Sequence, residues 1–206
     1  MYSMPMTTAT ATPSSDVRTH ILLTGQRIMA GKGYSAVGLT EILTAAGVPK
    51  GSFYHYFGSK DAFGEAMLER YFDDYLAELD DTLSLPGLTM AERLMRYWQA
   101  WQASQSFENC QGRCLAVKLG AEVADLSDAM RAVLRRGTQG IVERLARAIA
   151  AGAAEGSLAV DADPAAVAGA LYQMWLGASI LVKIERNTRP FDLALASTRQ
   201  MLHLAR

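Results

Sequence analysis

The chain has 206 residues, half of them apolar, and a formal net charge of −1. That length fits one large domain, or a small one beside a medium one, with enough apolar material for a sizeable core. It excludes a partner held by bulk positive charge, two cysteines are too few for a disulfide framework, and no run approaches about 20 consecutive apolar residues, so no membrane span is expected.

Residues 1–15, rich in Thr, Ser, Ala, Met and Pro, read as a disordered N-terminal arm. They lack the cationic start and apolar run of a secretory signal, so a cytoplasmic location is expected. A helix is expected from Asp16 to about Gly31, with Ile21, Leu22, Ile28 and Met29 on one face and Gly31-Lys32-Gly33 as its stop.

A second helix is expected over Leu39 to Ala46. Gly38 is an acceptable N-cap, Glu41 suits the positive end of the dipole, and Gly47 stands where a left-handed residue ends a helix. Val48 can plug the gap to a third helix, with Pro49 in its first turn. On a wheel of about 100° per residue, Pro49, Phe53, Tyr56 and Phe57 cluster inward. Gly51, Ser52, Tyr54 and His55 face outward, with Lys50 on the flank. Small, hydrogen-bonding and cationic groups at a helix N-terminus suit phosphates and base edges, and Lys60 beyond it can neutralise a phosphate. This is a helix-turn-helix layout, and it points to double-stranded DNA. Residues 1–64 carry five cations (Arg18, Arg27, Lys32, Lys50, Lys60) against three carboxylates (Asp16, Glu41, Asp61). So modest a local charge calls for two faces acting together in a dimer.

Ser59 can cap a long helix to about Leu83, broken by Leu85-Pro86-Gly87. Thr89-Met90-Ala91-Glu92 is a capping box that starts a helix to about Phe107, carrying Tyr97, Trp98 and Trp101. Asn109-Cys110-Gln111-Gly112 reads as a loop. A short helix is expected over Arg113 to Ala124 with Cys114 at its start, where the dipole, Arg113 and Lys118 favour thiolate. Ser127 caps a helix to about Gly152. Asp163-Pro164 starts one ending near Asn187, apolar nearly all round but interrupted by Lys183, and Phe191 to Leu204 forms the last. Pairing the final two helices with those of a second copy would make a four-helix homodimer interface.

The fold is therefore expected to be all-α. An N-terminal three-helix helix-turn-helix DNA-binding domain occupies residues 16–62. A larger helical ligand-binding and dimerisation domain follows over 63–206. Tyr97, Trp98 and Trp101, with Met174, Trp175, Cys114 and Lys183, are the candidate lining of a small-molecule effector cavity. An enzyme is not expected. Cys114 has no recognisable pairing with His20, His55 or His203, and no phosphate loop, metal-ligand spacing or nucleophile elbow suggests a cofactor or metal.

The segments Leu39–Leu43, Ala45–Val48, Lys50–Phe57 and Ser59-Lys60 closely resemble the DNA-binding domain of the TetR family of one-component repressors. The resemblance implies a homodimer that leaves its operator when an effector binds. It places Lys50, Gly51, Ser52, Tyr54 and His55 at the DNA face, and Thr40 and Lys60 near backbone phosphates. Gly112–Leu119, Ala121–Val123, Asp125–Ser127, Met130-Arg131 and Trp175–Ala178 with Lys183 resemble the N-ethylmaleimide-responsive branch of that family. There the cysteine matching Cys114 senses electrophiles and oxidants. The acrylate-responsive branch shares the cysteine and the lysine, which implies reversible binding of a small organic acid as the alternative. The chain departs from the first branch at Ala124, where a cysteine is replaced, and at the inserted Arg113.

Overall fold

The computed structural model describes residues 14–104 and 114–204, and among them every regular element is a helix. The expected loop at Asn109–Gly112, together with Cys110, Phe107 and Arg113, lies outside the described residues, as does most of the N-terminal arm. In chain order the helices are α1 (Ser14–Lys32), α2 (Leu39–Ala46), α3 (Lys50–Tyr56), α4 (Lys60–Leu83), α5 (Met90–Ser104), α6 (Leu115–Leu126), α7 (Asp128–Glu155), α8 (Pro164–Glu185) and α9 (Arg189–Met201). Ser14 and Ser15, expected in the arm, already belong to α1.

Local chemistry sets most of the boundaries. The Ser59 Oγ accepts the Ala62 amide at 3.0 Å, Ser127 Oγ accepts that of Met130 at 3.3 Å, and Asp163 accepts those of Ala165 and Ala166 at 3.1 Å. The capping box forms in full: Glu92 accepts the Thr89 amide at 2.7 Å and donates its own to Thr89 Oγ1 at 3.3 Å. Each such cap is worth about 1 kcal/mol.

The head, α1 to α3, packs around Ile21, Leu22, Ile42 and Phe53, with Phe63 of α4 completing its core. The expected division between residues 62 and 63 thus falls inside α4, which runs on into the body. There α4 crosses α7 closely because position 137 is glycine. A Cβ at Gly137 would sit 2.2 Å from the Phe72 ring.

α8 has the length and apolarity of a membrane-crossing helix, which the run-length expectation did not register. It packs against α7 and α9 and buries Val167, Leu171, Trp175 and Val182. Within the single chain Ile180, Leu181 and Ile184 of this helix stay exposed.

Candidate nucleic-acid interface and thiol cavity

The turn between α2 and α3 is built on Gly47, whose φ of 65° is the left-handed conformation that glycine adopts without strain. Its amide donates to the Thr44 carbonyl at 3.2 Å and the Val48 amide to that of Leu43 at 3.1 Å, closing α2. Pro49 is the N-cap of α3, with ψ 155°, one position before its expected place in the first turn.

α3 divides as its wheel predicts except at Pro49, which was expected inward and is exposed, standing at the helix end rather than within it. Phe53 and Phe57 are buried, their ring centres 5.6 and 5.2 Å from that of Phe63. Tyr56 is half-buried. On the opposite side Lys50, Gly51 and His55 are exposed, Ser52 is half-buried and Tyr54 is 52% exposed. The Lys50 ammonium stands 5.9 Å from the centre of the Tyr54 ring, a weak attraction that gathers cation and aromatic into one face. Thr40 is exposed on α2. Lys60, expected near a phosphate, is half-buried. Its ammonium donates to the Tyr34 carbonyl at 2.9 Å and lies 4.4 Å from the Tyr34 ring centre.

That bond belongs to a joint between head and body that sequence reasoning missed. Glu122 on α6 accepts the Tyr34 amide at 3.0 Å and the Ser35 amide at 2.7 Å. Hydrogen bonding from Ser35 holds the Glu122 carboxyl below its ordinary range, with partial burial opposing and the Lys60 charge assisting. The buried Tyr34 hydroxyl donates to Asp61 at 2.9 Å. Burial first, then Asp61, pushes that phenol well up. The only sequence signal was a turn at Gly33 to Ser35 whose amides needed acceptors.

Behind the head lies a cavity of about 860 Å³, walled by α1, α4, α5 and the start of α6. Leu23, Gln26 and Arg27 of α1 contribute to it, so one wall belongs to the head itself. Tyr97, Trp101 and Cys114 line it as expected, joined by Tyr71 and Tyr75, which sequence reading missed although their i, i+4 spacing puts both on one face of α4. Trp98, Trp175 and Lys183 are corrected: none lines the cavity, and neither does Met174. Trp98 and Trp175 are fully buried and stack at 4.9 Å: on α5 the cavity takes Tyr97, Ala100, Trp101, Ala103 and Ser104, while Trp98 faces the core. The Trp175 indole donates to Thr198 at 2.9 Å and that of Trp101 to Ser179 at 2.9 Å.

Cys114 is the N-cap of α6 and is 6% exposed. Burial pushes its thiol up and outweighs everything else. The amides of Val117 and Ala116, the Tyr71 hydroxyl and the charge of half-buried Lys183 all pull the other way. The helix-end effect expected at Cys114 is therefore present, but it loses to desolvation, and the expected thiolate preference is reversed.

Three comparisons give the chain its relatives. Residues 21–67 match the family model for bacterial regulatory proteins of the tetR family, and residues 91–198 match the tetracyclin repressor-like C-terminal domain. The chain is 40% identical to the HTH-type transcriptional repressor NemR of Escherichia coli (strain K12), over 91% of its own length and 94% of that protein. It is 38% identical to the transcriptional regulator AcuR of Cereibacter sphaeroides, over 82% and 78%. Its fold matches the crystal structure of reduced E. coli NemR with a TM-score of 0.86, covering 91% of this chain and 97% of that one. Regulators of this kind bind operator DNA and act as dimers. With a helix-turn-helix head, an all-helical body and relatives that match along nearly the whole chain, the protein belongs to the TetR family of transcriptional repressors.

Proposed function

We propose that this repressor leaves its operator when an electrophile or oxidant modifies Cys114. The observation that carries this reading is the position of the thiol. It stands at the N-cap position of α6 in a cavity walled by α1 and α4, and the same α6 holds the head through Glu122. The identity to NemR, whose structure is described as a reduced form, supports a redox-active thiol here.

In this reading residues 16–62 are the DNA-binding head and 63–206 the effector and dimerisation body. Lys50, Gly51, Ser52, Tyr54 and His55 meet the major groove, and Thr40 meets a phosphate. Lys60 serves the same surface by fixing the Tyr34 turn. The exposed Ile180, Leu181 and Ile184 of α8 and Leu193 of α9 form one half of a two-fold interface. Two heads about 34 Å apart occupy successive turns of a pseudo-palindromic operator. Modification at Cys114 shifts α6 and α4 and favours a spacing that no longer fits DNA. The effector acts only through its differential affinity for the two states. A cytoplasmic location agrees with operator binding.

A second reading is reversible binding of a small organic acid or other ligand in the same cavity. The raised thiol favours it, because a protonated sulfur is a poor nucleophile. Band shifts of the protein's own promoter, with and without an electrophile, separate the two. Loss of response in Cys114→Ser supports thiol sensing; undiminished response supports the reversible ligand.

A further inference from the structure

The helices that wall the cavity each present a stripe at helical spacing. α4 contributes Tyr71, Asp74, Tyr75 and Glu78, so phenol rings and carboxylates alternate along one wall. α5 sets Tyr97 and Trp101 beside them, and α1 brings Gln26 and Arg27. The deep part is apolar or already partnered. Leu79 and Leu115 are buried there, and Tyr97 and Trp101 are nearly so. The Tyr75 and Tyr97 hydroxyls bond one another at 2.9 Å, and the Trp101 indole N–H is committed to Ser179. The rings stand in pairs, Tyr71 with Tyr75 at 5.8 Å and Tyr97 with Trp101 at 6.0 Å. Such a chamber offers aromatic surface to a flat apolar body.

The charged lining lies at the mouth, where Arg27, Asp74 and Glu78 are all exposed. Asp74 pairs with Arg70 of its own helix at 3.5 Å. Glu78 and Arg27 border the same mouth, yet neither is in an ion pair among the described residues. Two carboxylates against one guanidinium leave the lining with an excess of negative charge. Lys183 is not part of that lining. An acid at the mouth therefore meets two like charges, whereas a cation meets two opposite ones and the half-buried Tyr75 ring. Exposed carboxylates alone would be ordinary solvated surface; the ring-lined chamber behind them makes this a site.

We propose that the cavity reversibly binds a flat aromatic cation, its rings entering toward Trp101 and its charged head held at the mouth by Asp74 and Glu78. This rests on the reversible-ligand reading of the cavity and narrows its ligand from an acid to a cation. It also gives Arg27 a part. Arg27 belongs to α1 and so to the DNA-binding head, while Asp74 and Glu78 belong to α4. A cation seated on α4 repels the guanidinium across the mouth. It therefore binds more tightly when α1 stands farther from α4. That preference is the differential affinity that release from DNA requires.

The test is calorimetric titration of the full-length protein with ligands that share a naphthalene body: (1-naphthylmethyl)trimethylammonium, 1-naphthaleneacetate and 1-naphthalenemethanol. The cation is expected to bind about tenfold more tightly than the acid or the alcohol. Glu78→Gln should weaken the cation about fivefold and leave the alcohol within about twofold, and Asp74→Asn should act in the same direction. An acid that binds as well as the cation, or a cation indifferent to both substitutions, overturns the cation class while leaving the cavity as a ligand site. Failure of all these ligands to bind overturns the reversible-ligand reading along with it. Band shifts then measure the factor by which saturating cation weakens operator binding. That factor should fall about threefold in Arg27→Gln, and an unchanged factor removes Arg27 from the coupling.

Discussion

Glu122 and Ser35, 87 residues apart in the chain, meet at 2.7 Å, where the carboxylate accepts the Ser35 amide. The other carboxylate oxygen takes the Tyr34 amide, so one side chain of α6 satisfies two amides of the turn that leads into the DNA-binding helices. A displacement of α6 therefore reaches the head through a bond as well as through packing.

Removing that bond should loosen the joint. Glu122→Ala is expected to destabilise the protein by about 1–3 kcal/mol, since two amides lose their acceptor. It should also blunt the release of DNA by effector. Thermal denaturation and band shifts measure the two effects, and unchanged melting with full induction would remove the joint from the mechanism. Because the folded-state pKa of Glu122 is depressed, its contribution is complete above the ordinary carboxylate value of about 4.3 and is lost as pH falls through the lower folded value. The melting difference between wild type and Glu122→Gln should accordingly shrink below about pH 4.

The outer face of α3 makes a prediction about salt. Lys50→Ala is expected to weaken operator binding by about 1–3 kcal/mol and, if the ammonium sits on a phosphate, to lower the salt slope by about one. Tyr54→Ala should weaken binding with the slope unchanged. Fluorescence anisotropy across a salt series distinguishes them, and wild-type affinity in both variants would exclude this face.

Cys114 should alkylate slowly at neutral pH. Burial raises its thiol, so the thiolate fraction grows only as pH climbs past the ordinary cysteine value of about 8.5. The rate with iodoacetamide should still be rising above that value. A plateau reached below pH 8 would show that Lys183 and the helix amides outweigh burial after all.

The apolar residues left bare on α8 and α9 should hold the dimer. Ile184 is 70% exposed and Leu193 59%, an exposure that makes sense when a second copy covers them. Ile184→Asp is expected to shift the sedimenting species to monomer and to reduce operator affinity with it. A variant that remains dimeric would move the interface elsewhere.

Much of this architecture was legible because helix ends are written in single residues. Ser59, the Thr89–Glu92 box, Ser127 and Asp163 mark boundaries through bonds to amides a few positions away, Gly47 does so through its left-handed φ, and the inward rings of Phe53 and Phe57 follow from spacing alone. What escaped depends on helices meeting across long stretches of chain. Nothing near Glu122 announces that its partners are Tyr34 and Ser35. Trp98 and Trp101 share a helix and a residue type, yet one stacks in the core and the other borders a cavity. The direction of the Cys114 shift was misread because helix polarity is visible in sequence and depth of burial is not.

The stacking of Trp98 on Trp175, with Trp101 within 6.2 Å of the latter, has a practical consequence. The chain holds three tryptophans, and all of them belong to this one cluster. Its indole fluorescence thus arises from a single shielded spot bordering the thiol chamber. The unlabelled protein carries its own optical gauge of what enters there.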